Sequence, residues 1–183
     1  MKVIETALPG VLILEPTQYS DERGYFMETF NLKRITALGL PATWVQDNLS
    51  VSKQNVVRGI HYQIEHPQGK LVRVMAGAVR DVVVDLRGQS STFGRHVTID
   101  LDPDSGRMVW IPVGCGHGFA VVEGPATFTY KVTDDYCAAG ERTILWNDPA
   151  LAINWGIQEA IVSAKDAAGV PFHAAQVFLE MGA

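Results

Sequence analysis

Val79–Leu86, with the sequence VRDVVVDL, is the stretch that decides the fold. Its two alternating rows of side chains are Asp81, Val83 and Asp85, and Val82, Val84 and Leu86. Because successive side chains of an extended strand point to opposite faces, this alternation predicts a β-strand. The aspartates are unusual, since they interrupt a segment that otherwise has the composition of a buried strand.

Similar short β-branched runs lie on both sides of this strand, separated by turn residues among the 17 Gly and 9 Pro of the chain. The further predicted strands are Val11–Leu14, Thr43–Val51, Val56–Gln63, Leu71–Ala76, His96–Leu101, Arg107–Pro112, Gly118–Val122 and Ala126–Val132. Strands of this length at regular spacing are typical of an antiparallel sandwich or barrel. We therefore predict a mainly β fold.

Helices are a minority in this pattern. Asn31–Leu38 is a predicted short helix, because Asn31 is a good N-cap and Gly39 follows its end. Glu159–Ala167 and His173–Glu180 are two further candidates. The chain has 183 residues and shows no repeat or linker, so we expect one domain over residues 1–183.

Composition excludes several classes of protein. Hydrophobic residues make up 47% and charged residues 19%, which is typical of a globular protein rather than a disordered one. The net charge of −5 argues against nonspecific nucleic-acid binding. No apolar run is long enough to span a membrane, Met1–Gly10 does not resemble a secretory signal, and two cysteines suit a reducing, cytoplasmic compartment.

Charged and aromatic residues concentrate in four segments. In Asp21–Phe30, Arg23 and Glu28 flank two aromatic residues, although a turn at Gly24 with a surface ion pair is the simpler explanation. In Gln68–Val74, Lys70 shares the face of an apolar row, where it either extends its ammonium to solvent or binds an anion.

The other two segments contain histidines. In Gln46–Gln63, strict alternation would place Arg58 and His61 on opposite faces, whereas a bulge at Gly59 would place them on one face. In Trp110–Phe119, His117 lies between two glycines and is either exposed or close to a ligand. The five histidines show no metal-ligand spacing, and no nucleophile or dinucleotide motif is present.

Together these segments resemble the dTDP-4-dehydrorhamnose 3,5-epimerase family of cupin-fold enzymes. The resemblance is carried, in order, by DERGYFMETF, QDNLSVSKQNVVRGIHYQ, QGKLVRVMAGAVRDVVVDLR, STFG, WIPVGCGHGF, YKVTDDY, ERTILWNDP and SAKD. It covers residues 1–166 and implies a jelly-roll barrel, a homodimer and chemistry without a cofactor or metal. The substrate that it implies is a dTDP-linked 4-keto-6-deoxyhexose of rhamnose biosynthesis.

The resemblance also implies roles for single residues. His61 matches the family's base, Asp166 the carboxylate that orients it, Tyr130 the acid on the other face, and Lys70 suits stabilisation of the enolate. The residues that match the family's substrate site are Arg23, Glu28, Gln46, Asp47, Asn48, Arg58, Lys70, His117, Tyr136, Glu141 and Lys165. Cys115 and Gly116 depart from the usual aromatic–small pair, and Ile60 replaces a common Leu, without loss of a chemical group.

These residue types suit the implied reaction. A hydrogen on carbon beside a ketone is acidic because its anion delocalises onto the carbonyl oxygen, and C3 and C5 both flank that ketone. Histidine has a pKa near neutrality and suits the base, with Asp81 or Asp85 as fallback partners if Asp166 does not orient it. The alternatives are an epimerase acting at C3 or C5 only, and a metal-binding cupin or noncatalytic sugar-binding module.

Overall fold

Two long strands, β7 (Lys70–Asp85) and β10 (Cys115–Val132), organise the computed structural model, which describes residues 1–179. In chain order the other strands are β1 (Lys2–Glu5), β2 (Leu12–Glu15), β3 (Gln18–Asp21), β4 (Gly24–Met27), β5 (Gln46–Ser52), β6 (Val56–Gln63), β8 (His96–Leu101), β9 (Met108–Ile111), β11 (Glu141–Thr143) and β12 (Ile161–Val162). The helices are α1 (Leu32–Ala37), α2 (Ala164–Ala167) and a 3-10 helix at Phe172–Ala174.

β7 and β10 pair with each other, and the second neighbour of each strand changes between its start and its end. The start of β7 pairs with β9 and its end with β8, whereas β10 pairs first with β6 and later with β5. The ten-stranded sheet therefore has two halves. The β5 half contains β1, β2, β9, the start of β7, the end of β10 and β5; the β6 half contains β8, the end of β7, the start of β10, β6, β11 and β12. β3 and β4 form a separate hairpin.

The two halves meet where the register between β7 and β10 shifts, between Val121 and Phe128. Gly77 lies opposite this region with φ +70°, and a Cβ there would approach the Glu123 carbonyl oxygen to 2.5 Å. Glycine is the residue that adopts this backbone without steric cost. The sheet can therefore turn from one half into the other at this point.

The main core lies between the inner faces of the two halves. It combines Val72 and Phe128 of the β5 half with Val83 and Phe119 of the β6 half. A second core forms on the outer face of the β6 half, beneath the segment that contains Trp155 and Phe178. A third forms on the outer face of the β5 half, beneath α1. Since the main core covers the inner faces of β7 and β10, a polar side chain that points inward is withdrawn from water.

The predicted mainly β, antiparallel architecture with few short helices is confirmed. Two pairs of predicted strands are each one strand: Leu71–Ala76 joins Val79–Leu86 in β7, and Gly118–Val122 joins Ala126–Val132 in β10. The helix at Asn31–Leu38 is confirmed as α1, whose N-cap side chain accepts from the Arg34 N–H at 3.2 Å.

The predicted helix at Glu159–Ala167 is wrong over its first half. Ile161 and Val162 instead form β12, which pairs in parallel with β6, and only Ala164–Ala167 is helical. β-branched residues suit a strand better than a helix, which is the physical reason for the difference.

The predicted helix at His173–Glu180 is also wrong in its described part, where only the 3-10 turn is helical. Phe178 instead exchanges backbone hydrogen bonds with Leu86 and Gly88, so this segment is held by the β6 half; Glu180 lies outside the described residues. Within residues 1–179, no helix has the length and apolar character that a membrane span requires.

Asp85 fixes the turn that follows β7. The carboxylate is fully buried, and it accepts hydrogen bonds from the Arg87 backbone N–H and guanidinium and from the Ser90 and Thr92 hydroxyls, at 2.6–3.0 Å. Burial would raise the pKa of Asp85, but these donors outweigh burial and lower the pKa to about 2. Folding therefore favours the ionised carboxylate.

We expect Asp85→Asn to lower the free energy of unfolding by about 3 kcal/mol at pH 7, because it leaves the Arg87 guanidinium without its counter-charge. A lowered native pKa stabilises the fold above the carboxyl's ordinary value near 3.8 and ceases to do so as pH falls towards 2. Urea unfolding of both proteins from pH 7 to pH 2 measures this, and the gap should narrow below about pH 4. A gap that does not change with pH would contradict it.

Candidate active site

One extra residue in β6 places Arg58 and His61 on the same face. Arg58 pairs with Phe119 and His61 pairs with His117, so three residues of β6 span the same distance as two residues of β10. His117 and Phe119 are two residues apart and therefore share a face of β10, and directly paired residues point the same way. The bulge predicted at Gly59 is confirmed, and both side chains belong to the inner face.

His61 and Asp166 form a buried pair at this face. His61 Nε2 donates to Asp166 Oδ1 at 2.5 Å, and the Asp166 side chain is only 4% exposed. Burial acts to raise the pKa of Asp166, but His61, the Gly59 backbone N–H and the Ser163 hydroxyl together bring it below its ordinary value. The carboxylate therefore stays ionised and binds Nε2 of the ring, so Nδ1 is the ring nitrogen that Asp166 does not engage.

Tyr130 and Lys70 lie on the inner face of the β5 half. Burial raises the pKa of Tyr130, so its phenol keeps its proton at neutral pH. Burial lowers the pKa of Lys70 to about 8, against the attraction of Asp81 and Glu141. The inner face thus provides an O–H donor and a poorly solvated ammonium, and a low dielectric strengthens the effect of that ammonium on a nearby anion.

Glu141 joins Lys165 and Tyr136 at the edge of the site. Lys165 Nζ lies 2.5 Å from Glu141 Oε1, and the Tyr136 hydroxyl donates to Oε2 at 3.0 Å. Burial would raise the pKa of Glu141, but these two partners lower it below its ordinary value. The charges of Glu141 and Lys165 also affect the pKa values of Lys70 and Tyr130, so this cluster interacts electrostatically with the groups of the inner face.

His117 has its own carboxylate partner, Asp81 of β7. Its Nε2 donates to Asp81 Oδ1 at 2.7 Å, and both side chains are buried. Asp166 is therefore the partner of His61. The fallback partners are both engaged elsewhere, Asp81 with His117 and Asp85 with Arg87.

Three further residues predicted for the substrate site also belong to the inner face. Asn48 pairs with Tyr130 across β5 and β10, and Gln46 donates to the Asn48 side chain at 2.6 Å. Arg58 Nε donates to the Ser52 hydroxyl at 2.9 Å, and its charge acts on Tyr130. Strand pairing therefore brings these side chains to the same inner face as His61.

Asp47, Arg23 and Glu28 are held elsewhere in this chain. Asp47 points to the outer face of β5, where it pairs with Lys131 at 2.7 Å. Arg23 pairs with Asp21 in the β3–β4 hairpin, which rests on residues 103–104. Glu28 binds Asn31 and Arg34 at the start of α1. The position of Asp47 was predictable, because strand alternation places it on the face opposite to Gln46 and Asn48. The position of the hairpin was not, because it depends on tertiary packing.

Two positioning contacts were not predicted from the sequence. Ser163 caps α2 by accepting from the Asp166 backbone N–H at 3.1 Å, and Ser52 holds Arg58. The serine of SAKD, immediately before a helical segment, is a capping pattern that could have revealed the first. The second depends on tertiary contacts between β5 and β6.

Comparison with known proteins points to one family. A family model described as dTDP-4-dehydrorhamnose 3,5-epimerase matches residues 5–174. The dTDP-4-dehydrorhamnose 3,5-epimerase of Shigella flexneri is 46% identical over 181 residues, 98% of this chain and 100% of that protein. The dTDP-4-dehydrorhamnose 3-epimerase of Streptomyces niveus is 39% identical over 168 residues, 91% of this chain and 81% of that protein.

A solved structure gives the same result. The dTDP-6-deoxy-D-glucose-3,5-epimerase of Legionella pneumophila, in complex with dTDP-4-keto-L-rhamnose, matches with a TM-score of 0.95 at 42% identity and covers 99% of each chain. The family match, the full-length relatives and the shared cupin-like jelly roll agree. The chain belongs to the dTDP-4-dehydrorhamnose 3,5-epimerase family.

Proposed function

We propose that this protein is an isomerase that converts dTDP-4-dehydro-6-deoxy-D-glucose to dTDP-4-dehydro-L-rhamnose by inverting C3 and C5. The observation that carries the proposal is the His61–Asp166 pair, which lies on the same inner face as Tyr130 and Lys70. A base, an acid and a cation are the groups that proton transfer next to a ketone requires.

We also propose that residues 1–183 act as one domain in the reducing cytoplasm, which the free thiols of Cys115 and Cys137 suit.

In the proposed mechanism His61 removes the proton from C3 or C5. Asp166 holds the Nε2 proton of the ring and stabilises the imidazolium that forms. The electron pair of the broken C–H bond moves onto the ketone oxygen, where the Lys70 ammonium stabilises the enolate. Loss of such a donor costs roughly 3–4 kcal/mol of transition-state stabilisation in other enzymes.

Inversion requires that the proton return on the opposite face of the sugar. Tyr130 is the proposed acid, because its raised pKa keeps the phenol protonated until the enolate forms. It lies on β10 of the β5 half, whereas His61 lies on β6 of the other half, so a sugar between the halves would have one group on each side. Arg58 and Lys165 supply positive charge for the diphosphate.

We expect His61→Asn to reduce proton exchange at both C3 and C5 by about 10³-fold or more, because no other base replaces the ring. Proton NMR of the substrate in D₂O measures deuterium incorporation at each carbon. His173→Asn, at an exposed histidine outside the site, is the matched control and should exchange at the wild-type rate. Unchanged exchange in the His61 variant would refute the base assignment.

We expect Tyr130→Phe to separate exchange from inversion. His61 would still remove and return a proton on its own face, so deuterium would enter while the yield of epimerised product falls by about 10²-fold. The two quantities are measured by NMR and by chromatography of the same reaction. Tyr19→Phe, at an exposed tyrosine of the β3–β4 hairpin, serves as the control. Equal loss of exchange and product would exclude Tyr130 as the acid.

The Streptomyces niveus relative makes a single epimerisation the second candidate function. The wild-type NMR experiment distinguishes the two, since a double epimerase exchanges two carbon-bound hydrogens and a single epimerase exchanges one. Metal analysis together with a thermal shift on adding dTDP tests the class of metal-binding cupins and sugar-binding modules. Stoichiometric metal without stabilisation by dTDP would favour that class.

We also propose that the protein is a homodimer formed through the outer face of the β5 half. Leu49, Val51 and Met75 are 50–65% exposed there, and Arg73 Nε is buried with no hydrogen-bond partner among residues 1–179. A contiguous apolar surface of this kind is typical of an interface between proteins. A second copy would also explain how Arg23, which lies outside the cluster of its own chain, matches a substrate-site position of the family.

Introduction of a charge on this face should disrupt the dimer. We expect wild-type protein to sediment at twice 20.0 kDa and the double variant Leu49→Asp, Met75→Asp at 20.0 kDa, because a buried unpaired carboxylate opposes association. Ile161→Asp, at a 54% exposed residue of the β6 half, is the control and should leave the mass unchanged. A wild-type monomer, or a dimeric double variant, would contradict this interface.

A further inference from the structure

Asp81 is a buried carboxylate whose hydrogen bonding is incomplete. Its side chain is fully buried, Oδ1 accepts from His117 Nε2 at 2.7 Å, and Oδ2 has no partner among the described residues. A buried charge without full hydrogen bonding is costly, so natural proteins rarely keep one without a reason. The position of this charge in the fold indicates what that reason is.

Asp85 gives a direct comparison on the same strand. Both aspartates lie on one face of β7, four residues apart, and both are fully buried. Asp85 uses both oxygens, with bonds to Arg87, Ser90 and Thr92 that close a turn. Asp81 closes no turn, and its one hydrogen bond goes to a histidine of the inner face. The turn therefore accounts for the burial of the Asp85 carboxylate, whereas no turn accounts for the burial of the Asp81 carboxylate.

His117 is held on two sides. Its ring stacks on Phe128 with a centroid distance of 5.9 Å, and Asp81 fixes Nε2. His117 also pairs directly with His61 across β10 and β6. A ring fixed in this way beside the proposed base presents its other nitrogen in one orientation.

Lys70 is the second group that Asp81 affects. Burial and the positive charge of Lys165 favour loss of the Lys70 proton, whereas Asp81 and Glu141 favour its retention. Glu141 already forms an ion pair with Lys165 and accepts from Tyr136. Of these two carboxylates, Asp81 is thus the one with an oxygen that has no hydrogen-bond partner among residues 1–179.

We propose that Asp81 is a positioning residue of this site, which fixes the His117 ring through Oδ1 and keeps the Lys70 ammonium charged through its buried negative charge. The assignment rests on the proposed function, because it matters to catalysis only if Lys70 stabilises an enolate. Asp81 acts through these two side chains and itself transfers no proton. A neutral Lys70 would accept rather than donate a hydrogen bond and would lose its attraction for the enolate oxygen.

Asp81→Asn tests this proposal without substrate. The lysines of wild type and variant are reductively methylated with ¹³C-formaldehyde, and NMR follows their titration, with Lys70→Met identifying the Lys70 signal. Removal of a nearby negative charge lowers the pKa of an ammonium, so we expect the Lys70 midpoint to fall by about one unit or more. Asp85→Asn is the matched control, since it removes a buried carboxylate of the same strand and should leave that midpoint unchanged.

Two further measurements separate positioning from a structural role. We expect Asp81→Asn to retain or exceed the wild-type Tm, because it removes a poorly compensated buried charge, whereas Asp85→Asn lowers Tm. Kinetics are measured on protein that has not been methylated. In the plot of kcat against pH, the alkaline limb should move to lower pH in the Asp81 variant only. If Asp81→Asn does not fold, Asp81→Ser removes the same charge and takes its place.

The outcomes are distinct. A Lys70 midpoint that is unchanged in the Asp81 variant, or that falls equally in the Asp85 variant, overturns the proposal. A wild-type-like pH profile with a large loss of Tm also overturns it, because that combination marks a structural aspartate. If wild type fails to exchange substrate hydrogens in D₂O, the proposed function fails, whereas the Lys70 titration still decides whether Asp81 maintains the ammonium charge.

Discussion

The site depends on one register shift between two strands. β6 contains one residue more than β10 between the Arg58–Phe119 and His61–His117 pairs. Without that residue, strand alternation would turn either the arginine or the histidine towards the second core on the outer face. Gly59 makes the shift possible because its φ is +124° and a Cβ there would lie 2.5 Å from Gly118 Cα. The backbone, rather than any single polar contact, therefore assembles the cavity.

Burial then determines the chemistry of the groups that the backbone brings together. The same withdrawal from water raises the pKa of Tyr130 and lowers that of Lys70, so both groups are held closer to neutral forms. A phenol that keeps its proton is useful as an acid, but an ammonium that loses its proton is no longer a cation. Asp81 and Glu141 counter that loss by favouring the charged form of Lys70, which is a physical reason for carboxylates at a site that would bind an anionic substrate.

Sequence patterns predicted local features well and tertiary ones only in part. Alternation in Val79–Leu86 predicted a strand, and the glycine between Arg58 and His61 predicted the bulge. β12 was mistaken for a helix because it has only two residues, too few to show a period, and pairing with β6 rather than propensity fixes it. The partner of Asp81 was not predictable, since it depends on the register of β7 against β10 over most of their length.

The acidic composition also takes on a different meaning in the folded chain. A net charge of −5 argues against a broad basic surface, yet the charges of Arg58 and Lys165 both act on Tyr130, and that of Lys165 also acts on Lys70. Positive charge is therefore concentrated at one site, where a low dielectric strengthens its field. Two of these cations have a direct partner that limits their electrostatic cost, since Lys165 pairs with Glu141 and Arg58 donates to the Ser52 hydroxyl. Because the substrate's ketone accepts the electron pair released at either neighbouring carbon, one such cavity suffices for two successive inversions. A single barrel that carries the proposed base on one half and the proposed acid on the other therefore has the groups that this reaction requires.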